Sequence, residues 1–287
     1  MEFSGSVKER ITKSLETLSP KHKQIARFIL DNHYLTSYAS VNQLGEKIGT
    51  STATIVRFAQ ALGYAGYSGL QDALRTDFPN YMTTAARMKR RMSAPNPPAS
   101  NPQQDFYTDV KNIERTASNL SEESLNSAVD AILGAKRILV IGAGLSYAPV
   151  VFLAHSLKVM GFDALVVQAE GLQSAVEIAR IKPDDLMIAI DLWRYVRMTV
   201  NAVAHAKKTG APVIAITDSI VSPLAKMSDI AFEIASEGTA HSLSVTALMS
   251  LLNVFVAILA DRAPEQVYES LKRVDDAYRA NDLLIMK

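Results

Sequence analysis

The chain of 287 residues contains no cysteine. That excludes disulfides and thiol catalysis, and leaves any zinc site to histidine and carboxylate. The five histidines (His22, His33, His155, His205 and His241) never stand four apart, so neither a metal nor a cofactor is expected. A long hydrophobic run is also missing. The best stretch, residues 247–260, is interrupted by Ser250 and Asn253 and falls short of the roughly 18 apolar residues a membrane span needs. The opening MEFSGSVKER has no apolar segment behind a basic start, so no secretory signal is read and a cytoplasmic protein without a membrane partner is expected. Tryptophan occurs once, at Trp193.

Strong net charge is lacking too, at +1, but the balance is uneven along the chain. Up to Arg91, 13 Lys and Arg stand against 7 Asp and Glu, an excess of six, so the remainder carries −5. A basic front on an acidic back points to a polyanion meeting only the front. Between the two lies APNPPASNP (residues 94–102), whose four prolines disfavour helix or central strand. It follows a basic helical stretch, residues 84–92. The expected organisation is a helical domain over 1–77, a basic and Pro-rich linker over 78–104, and a second domain over 105–287.

The front reads as helical throughout. Residues 7–18 and 21–32 carry apolar side chains at three- and four-residue spacing, and SPK supplies an N-cap and a first-turn proline. The back begins with helical pattern over 105–134, with Ser121 opening one helix. From Lys136 the pattern changes: RILVIGAG, DALVVQ, DDLMIAI and PVIAIT are short β-branched runs alternating with helical stretches. That alternation predicts an α/β fold with a parallel sheet flanked by helices. Residues 243–260 read as a long helix, apolar enough to be buried on most sides.

Within the front, residues 41–48 form a short helix, Gly49 a turn, and Ser51 the cap of a second helix over 52–62, ended by Gly63. Ile55, Phe58, Ala59 and Leu62 share its inward face. Thr52, Ala53, Arg57 and Gln60 point outward, with Thr54 at the edge. Small polar residues at the helix front and an arginine one turn on suit a major-groove reader. Ser51, Thr52 and Thr54 with the helix N-terminus can hold phosphate, and Arg57 and Gln60 can reach base edges. A plain three-helix bundle would also contain short helices joined at glycine.

The motif is more specific than the pattern. The run LGEKIGTSTATIVRFAQALGYAGYSGLQDAL resembles the N-terminal domain of the RpiR family of bacterial transcription regulators, with its S-x-A-T-I/V-x-R-F … L-G-F/Y-x-G-F/Y signature. Here the signature stands as Ser51, Ala53, Thr54, Ile55, Arg57, Phe58, Leu62, Gly63, Tyr64, Gly66 and Tyr67.

A second likeness covers the back. VIGAGLSY follows the first strand and opens a helix, but Tyr147 stands where a dinucleotide fingerprint needs its third glycine. Gly142, Gly144 and Ser146 instead resemble the G-x-G-x-S turn of SIS domains, the sugar-isomerase fold of RpiR regulators. The stretch AKKTGAPVIAITDSIVSPLAKMSDIAFEI is similar to that domain further on. The resemblance implies an SIS-like effector-binding and dimerisation domain behind the helix-turn-helix.

One loop departs from it. SIS domains place S-x-S-G-x-T after the third strand to hold a sugar's phosphate. Here Asp191, Trp193, Arg194 and Val196 take the first serine, the second serine, the glycine and the threonine. Three accounts of the Trp193-Arg194-Tyr195 cluster stand open. Arg194 and Arg197, on one helical face, grip an anion beside a stacking aromatic; or Asp191 pairs with an arginine as structure; or the cluster is a subunit contact. The carboxyl end of a parallel strand is where such sheets bind ligands, which favours the first. The ligand-binding expectation is therefore Gly142, Gly144, Ser146, Asp191, Arg194, Arg197 and His241, with no catalytic residue.

Together these features predict a sequence-specific DNA-binding regulator, not an enzyme. Its SIS-like domain would sense a small anionic metabolite, such as a sugar phosphate or sugar acid. The partners are a double-stranded DNA operator, a small-molecule effector and further copies in a homodimer or homotetramer. The alternative is a sugar-phosphate isomerase carrying a helical appendage.

Overall fold

The computed structural model describes residues 7–32, 36–37, 39–77, 84–93, 101–220, 222–283 and 285. It divides into two compact units, Met1–Pro97 and Pro98–Lys287.

The first unit is helical: α1 (Val7–Ser14), α2 (Pro20–Asp31), α3 (Val41–Ile48), α4 (Thr52–Ala61), α5 (Tyr67–Asp77) and α6 (Thr84–Met92). Each short helix is started by its own chemistry. Ser19 caps α2 ahead of Pro20, and Ser40 with Gln43 forms a reciprocal capping box on α3. Gly49 closes α3 at φ 70°, a left-handed conformation that any residue with a Cβ adopts at a cost. Lys21 Nζ and Gln24 Nε2 on α2 donate to the Gly49 and Ile48 carbonyls, 3.1 and 3.0 Å, satisfying the free end of α3. The inward residues Leu44, Ile48, Ile55, Phe58, Ala59 and Leu62 are all buried in one core with Ile25, Ile29 and Leu70.

The second unit begins with α7 (Pro102–Ser118) and α8 (Glu122–Gly134). Helix α7 takes in Pro102 to Gln104, residues that the linker expectation included. A proline at the first helical position loses no hydrogen bond, and Asn101 caps the helix by accepting from Gln104 N. Then come β1 (Ile138–Gly142), a 3-10 turn (Gly144–Ser146), α9 (Tyr147–Val159), β2 (Ala164–Gln168), α10 (Gly171–Ala179), β3 (Leu186–Ile190), α11 (Arg197–Thr209), β4 (Val213–Thr217), β5 (Ile230–Glu233), α12 (Thr246–Arg262) and α13 (Pro264–Ala280).

The five strands form one parallel sheet in the order β2-β1-β3-β4-β5. Every residue of β1, β3 and β4 is buried, as expected where helices cover both faces. Leu139, Ile141, Met187, Ala189, Val213 and Ala215 pack with Val203 and Ala206 of α11 on one side. Helices α9, α12 and α8 serve the other, where Phe232 of β5 meets Phe255 of α12 edge to face, 5.3 Å between centroids. The apolar helix expected over 243–260 is α12, buried through Leu248, Leu251, Leu252, Phe255 and Leu259. No single helix among the described residues is long and apolar enough to cross a membrane. The strand order reverses between β1 and β3, so a crevice is expected at their carboxyl ends.

Candidate functional site

Two regions carry the residues singled out above. In the first unit, Ser51 caps α4. Its hydroxyl accepts from Thr54 N at 3.2 Å and lies 2.8 Å from the Thr54 hydroxyl. Ser51, Thr52, Arg57 and Gln60 are exposed and Thr54 is half-buried, opposite the buried Ile55, Phe58 and Ala59. Arg10 on α1 steadies the far end of this helix, donating to Leu62 O at 3.3 Å and lying over the Tyr64 ring. A two-helix unit with an exposed, hydroxyl-tipped second helix is thus held rigidly by core and caps.

In the second unit, the turn after β1 meets the loop after β3. A Cβ on Gly142 would stand 2.5 Å from Ile190 O on the neighbouring strand, so only glycine permits this approach. Gly144 sits at φ 55° and is exposed; Ser146, which ends the 3-10 turn, is buried.

The loop after β3 is arranged differently from the expectation. Asp191 faces inward, 2% exposed, and its Oδ2 accepts from Val196 N at 2.7 Å, bridging the two ends of its own loop. Burial pushes its carboxyl up to about 7. Trp193 is buried, with its ring 5.9 Å from that of Tyr195. Tyr195 donates to Asp218 Oδ1 at 2.8 Å, and burial raises the Asp218 carboxyl as well. Arg194 and Arg197 do not share a helical face: Arg194 stands in the loop, and Arg197 is the first residue of α11. Both are exposed, and neither is paired with a carboxylate among the described residues. His241 is exposed on the loop between β5 and α12.

Three features escaped the sequence reading. Asp218 follows β4 just as Asp191 follows β3, and the repeated endings LMIAID and VIAITD could have announced it. The carboxyl of Glu233, at the exposed end of β5, is pushed up by partial desolvation and by the Asp218 charge. A cleft of about 710 Å³ opens toward β2, lined by Tyr147, Gln168, Glu170, Gln173, Ser174 and Glu177 among others. Its walls offer carboxylates, carboxamides and a phenol, with no basic side chain, so they suit hydroxyl or amine groups better than a bare anion.

Known proteins share both halves. A model of the helix-turn-helix domain of the rpiR family matches residues 5–80, and the SIS domain model matches residues 131–259. The sugar isomerase domain of the RpiR transcription factor from Sphaerobacter thermophilus is 38% identical, covers 61% of this chain and 98% of its own, and superposes with a TM-score of 0.60. The chain belongs to the RpiR family. It is a helix-turn-helix transcriptional regulator with a C-terminal SIS domain. Over the whole length it shares its fold with the Vibrio vulnificus NanR protein, solved in complex with ManNAc-6P (24% identity, 97% of this chain and 99% of that one, TM-score 0.61). The HTH-type transcriptional regulator YfhH of Escherichia coli is 27% identical over 274 residues, 91% of this chain and 95% of that protein. As an RpiR protein the chain combines a DNA-reading unit with an effector-type domain in the family's order.

Proposed function

We propose that this RpiR regulator binds its operator through Ser51, Thr52, Thr54, Arg57 and Gln60, and changes its hold on DNA when its SIS domain takes a small anionic sugar derivative. The observation that carries the ligand reading is the pair of exposed, carboxylate-free arginines, Arg194 and Arg197, at the switch point of the sheet. They supply positive charge where the hydroxyl nest of other SIS domains is missing. In this reading the turn carrying Gly142, Gly144 and Ser146 lies across from the arginine loop, and His241 contributes from the loop between β5 and α12. Because Asp191 is spent on Val196 N, its part is to hold the loop that presents the arginines. The polar cleft beside β2 suits hydroxyl or amine groups. A sugar phosphate, a sugar acid or an amino sugar derivative carrying a negative group has this double character.

The regulator reading is favoured over an isomerase because the buried carboxylates that follow β3 and β4 each hold one of the protein's own groups, Asp191 Oδ2 the Val196 N–H and Asp218 Oδ1 the Tyr195 hydroxyl. An acid–base catalyst must instead reach its substrate. Palindromic operators call for two helix-turn-helix units, so a homodimer or homotetramer in the cytoplasm completes the proposal.

Titration with ManNAc-6P and a panel of sugar acids, followed by Trp193 fluorescence, tests it. A saturable change is expected, weakened in Arg194→Ala and Arg197→Ala. A compound that shifts operator affinity yet binds both variants as tightly as the parent would remove the arginines from the site. Their substitution would then be expected to change the oligomeric state, read by light scattering. Turnover of aldose to ketose phosphates would overturn the non-enzyme reading.

A further inference from the structure

Helix α7 is the first element after the linker, and one face of it is committed to a single distant loop. Asp109, Asn112 and Thr116 recur at spacings of three and four, which places them side by side. Asn112 Nδ2 donates to Glu237 O at 2.8 Å and its Oδ1 accepts from Glu237 N at 3.1 Å, so the carboxamide pairs with backbone as a neighbouring strand would. Thr116 Oγ1 accepts from Ala235 N at 3.0 Å. Asp109 accepts from both Ser244 Oγ and Thr246 Oγ1. Asn112 and Thr116 are buried, so their bonds are shielded from water, while Asp109 is half-buried.

The loop they hold runs from β5 to α12 and closes on itself, with Ser244 N donating to Ser236 O. It begins directly after Glu233, which stands opposite Thr217 in the β4–β5 register, and Asp218, next to Thr217, anchors Tyr195 of the arginine-bearing loop. The loop after β3, the end of β4 and the end of β5 are thus neighbours, and the bonds of α7 tie the loop after β5 to the first helix that follows the linker. Directional bonds of this kind are either made or released, and coupling between sites runs through such elements.

We propose that the Asp109–Asn112–Thr116 face of α7 is the coupling surface through which the β5–α12 loop sets the operator affinity of the helix-turn-helix unit. The inference rests on the regulator reading only in taking operator binding as the output; no effector is needed to test it. The three side chains are positioning residues, acting on DNA through the helix and linker.

The experiment uses the full chain and a duplex selected from random sequence by the parent protein. Asn112→Ala breaks the central pair from the helix side. Ser244→Ala combined with Thr246→Val releases the loop from its own side, leaving α7 intact should Asn112→Ala fail to fold. Glu114→Ala, exposed on the same helix, is the control. Faster amide exchange is expected at Ala235 and Glu237 in Asn112→Ala and at Thr246 in the loop-side variant. Operator Kd should shift at least about fivefold in both, with less than about a twofold shift in Glu114→Ala. A merely structural role would lower the melting temperature and leave the Kd of the folded protein unchanged. Faster exchange with an operator Kd close to the parent's overturns the proposal. So does unchanged exchange, or an equal Kd shift in the control. Failure of the effector reading shows separately, as no fluorescence response to any sugar derivative.

Discussion

Arg57 projects from α4 on the side away from Ile55 and Phe58, so its side chain adds nothing to the core and is free for a base edge. Arg57→Ala is expected to keep the helical fold and lose specific operator binding. A good bidentate base contact is worth roughly 1–3 kcal/mol of discrimination. Gel shifts with the selected operator and a scrambled duplex measure it; an unchanged ratio takes Arg57 out of base reading. Asp191 makes the opposite kind of prediction, about stability. Its carboxyl, at about 7 when folded and 3.8 when free, keeps its proton in the folded chain where the unfolded chain has lost it. The folded state thus binds more protons between those values. Stability falls as pH rises through that window and levels off above it. Asp191→Asn removes this titration while keeping an oxygen for Val196 N. The variant should gain on the parent as pH rises from about 4 to about 7, by at most on the order of 4 kcal/mol. Thermal melts at about pH 5 and about pH 8 decide it: a pH-independent difference in Tm means that Asp191 does not titrate there.

Gly142 shows how one position governs the packing of elements. Its missing Cβ lets the end of β1 lie against Ile190 O, and the neighbour there is backbone, which cannot rotate away. Gly142→Ala must spread β1 from β3 at the switch point. A cost of about 1–3 kcal/mol is expected for such overpacking, together with a weakened response to the effector panel. Melting curves and Trp193 fluorescence read the two effects; a variant with unchanged Tm would show that the strands yield freely. At this scale much was legible in the sequence. Helix α3 follows from its cap, its apolar spacing and Gly49, and α6 from the basic stretch, because such signals are local. The strands show as β-branched runs because both faces of the sheet are covered. The start of α7 is hidden because Pro102 closes a proline-rich stretch, and proline at the first helical position starts a helix as readily as it breaks one elsewhere. What stayed hidden depends on neighbours far apart in sequence. Tyr195 meets Asp218 only because β3 lies beside β4. The cleft exists only where α10 leaves the end of β2. Asp191 bonding within its own loop depends on a turn that no periodicity encodes.

For the whole molecule, charge is divided as function is: the residues up to Arg91 carry an excess of six positive charges, and the remainder, including the effector unit, is net acidic. Operator binding should therefore depend on salt through the front alone. Each phosphate neutralised by Lys or Arg releases condensed counterions, so log K falls linearly with log salt at a slope of about −0.9 per contact. The basic helix α6 is the natural source of contacts outside the helix-turn-helix, and Lys89 on it is exposed. Lys89→Ala should reduce the magnitude of the salt slope by about 0.9 and weaken selected and scrambled duplexes alike. Arg57→Ala should act chiefly on the selected duplex, since a base contact carries sequence and a phosphate contact does not. Affinities measured between about 50 and 200 mM salt separate the two behaviours. An unchanged slope in Lys89→Ala would place the charge of α6 in solvent and leave the linker as a tether; a loss confined to the selected duplex would make Lys89 a base reader.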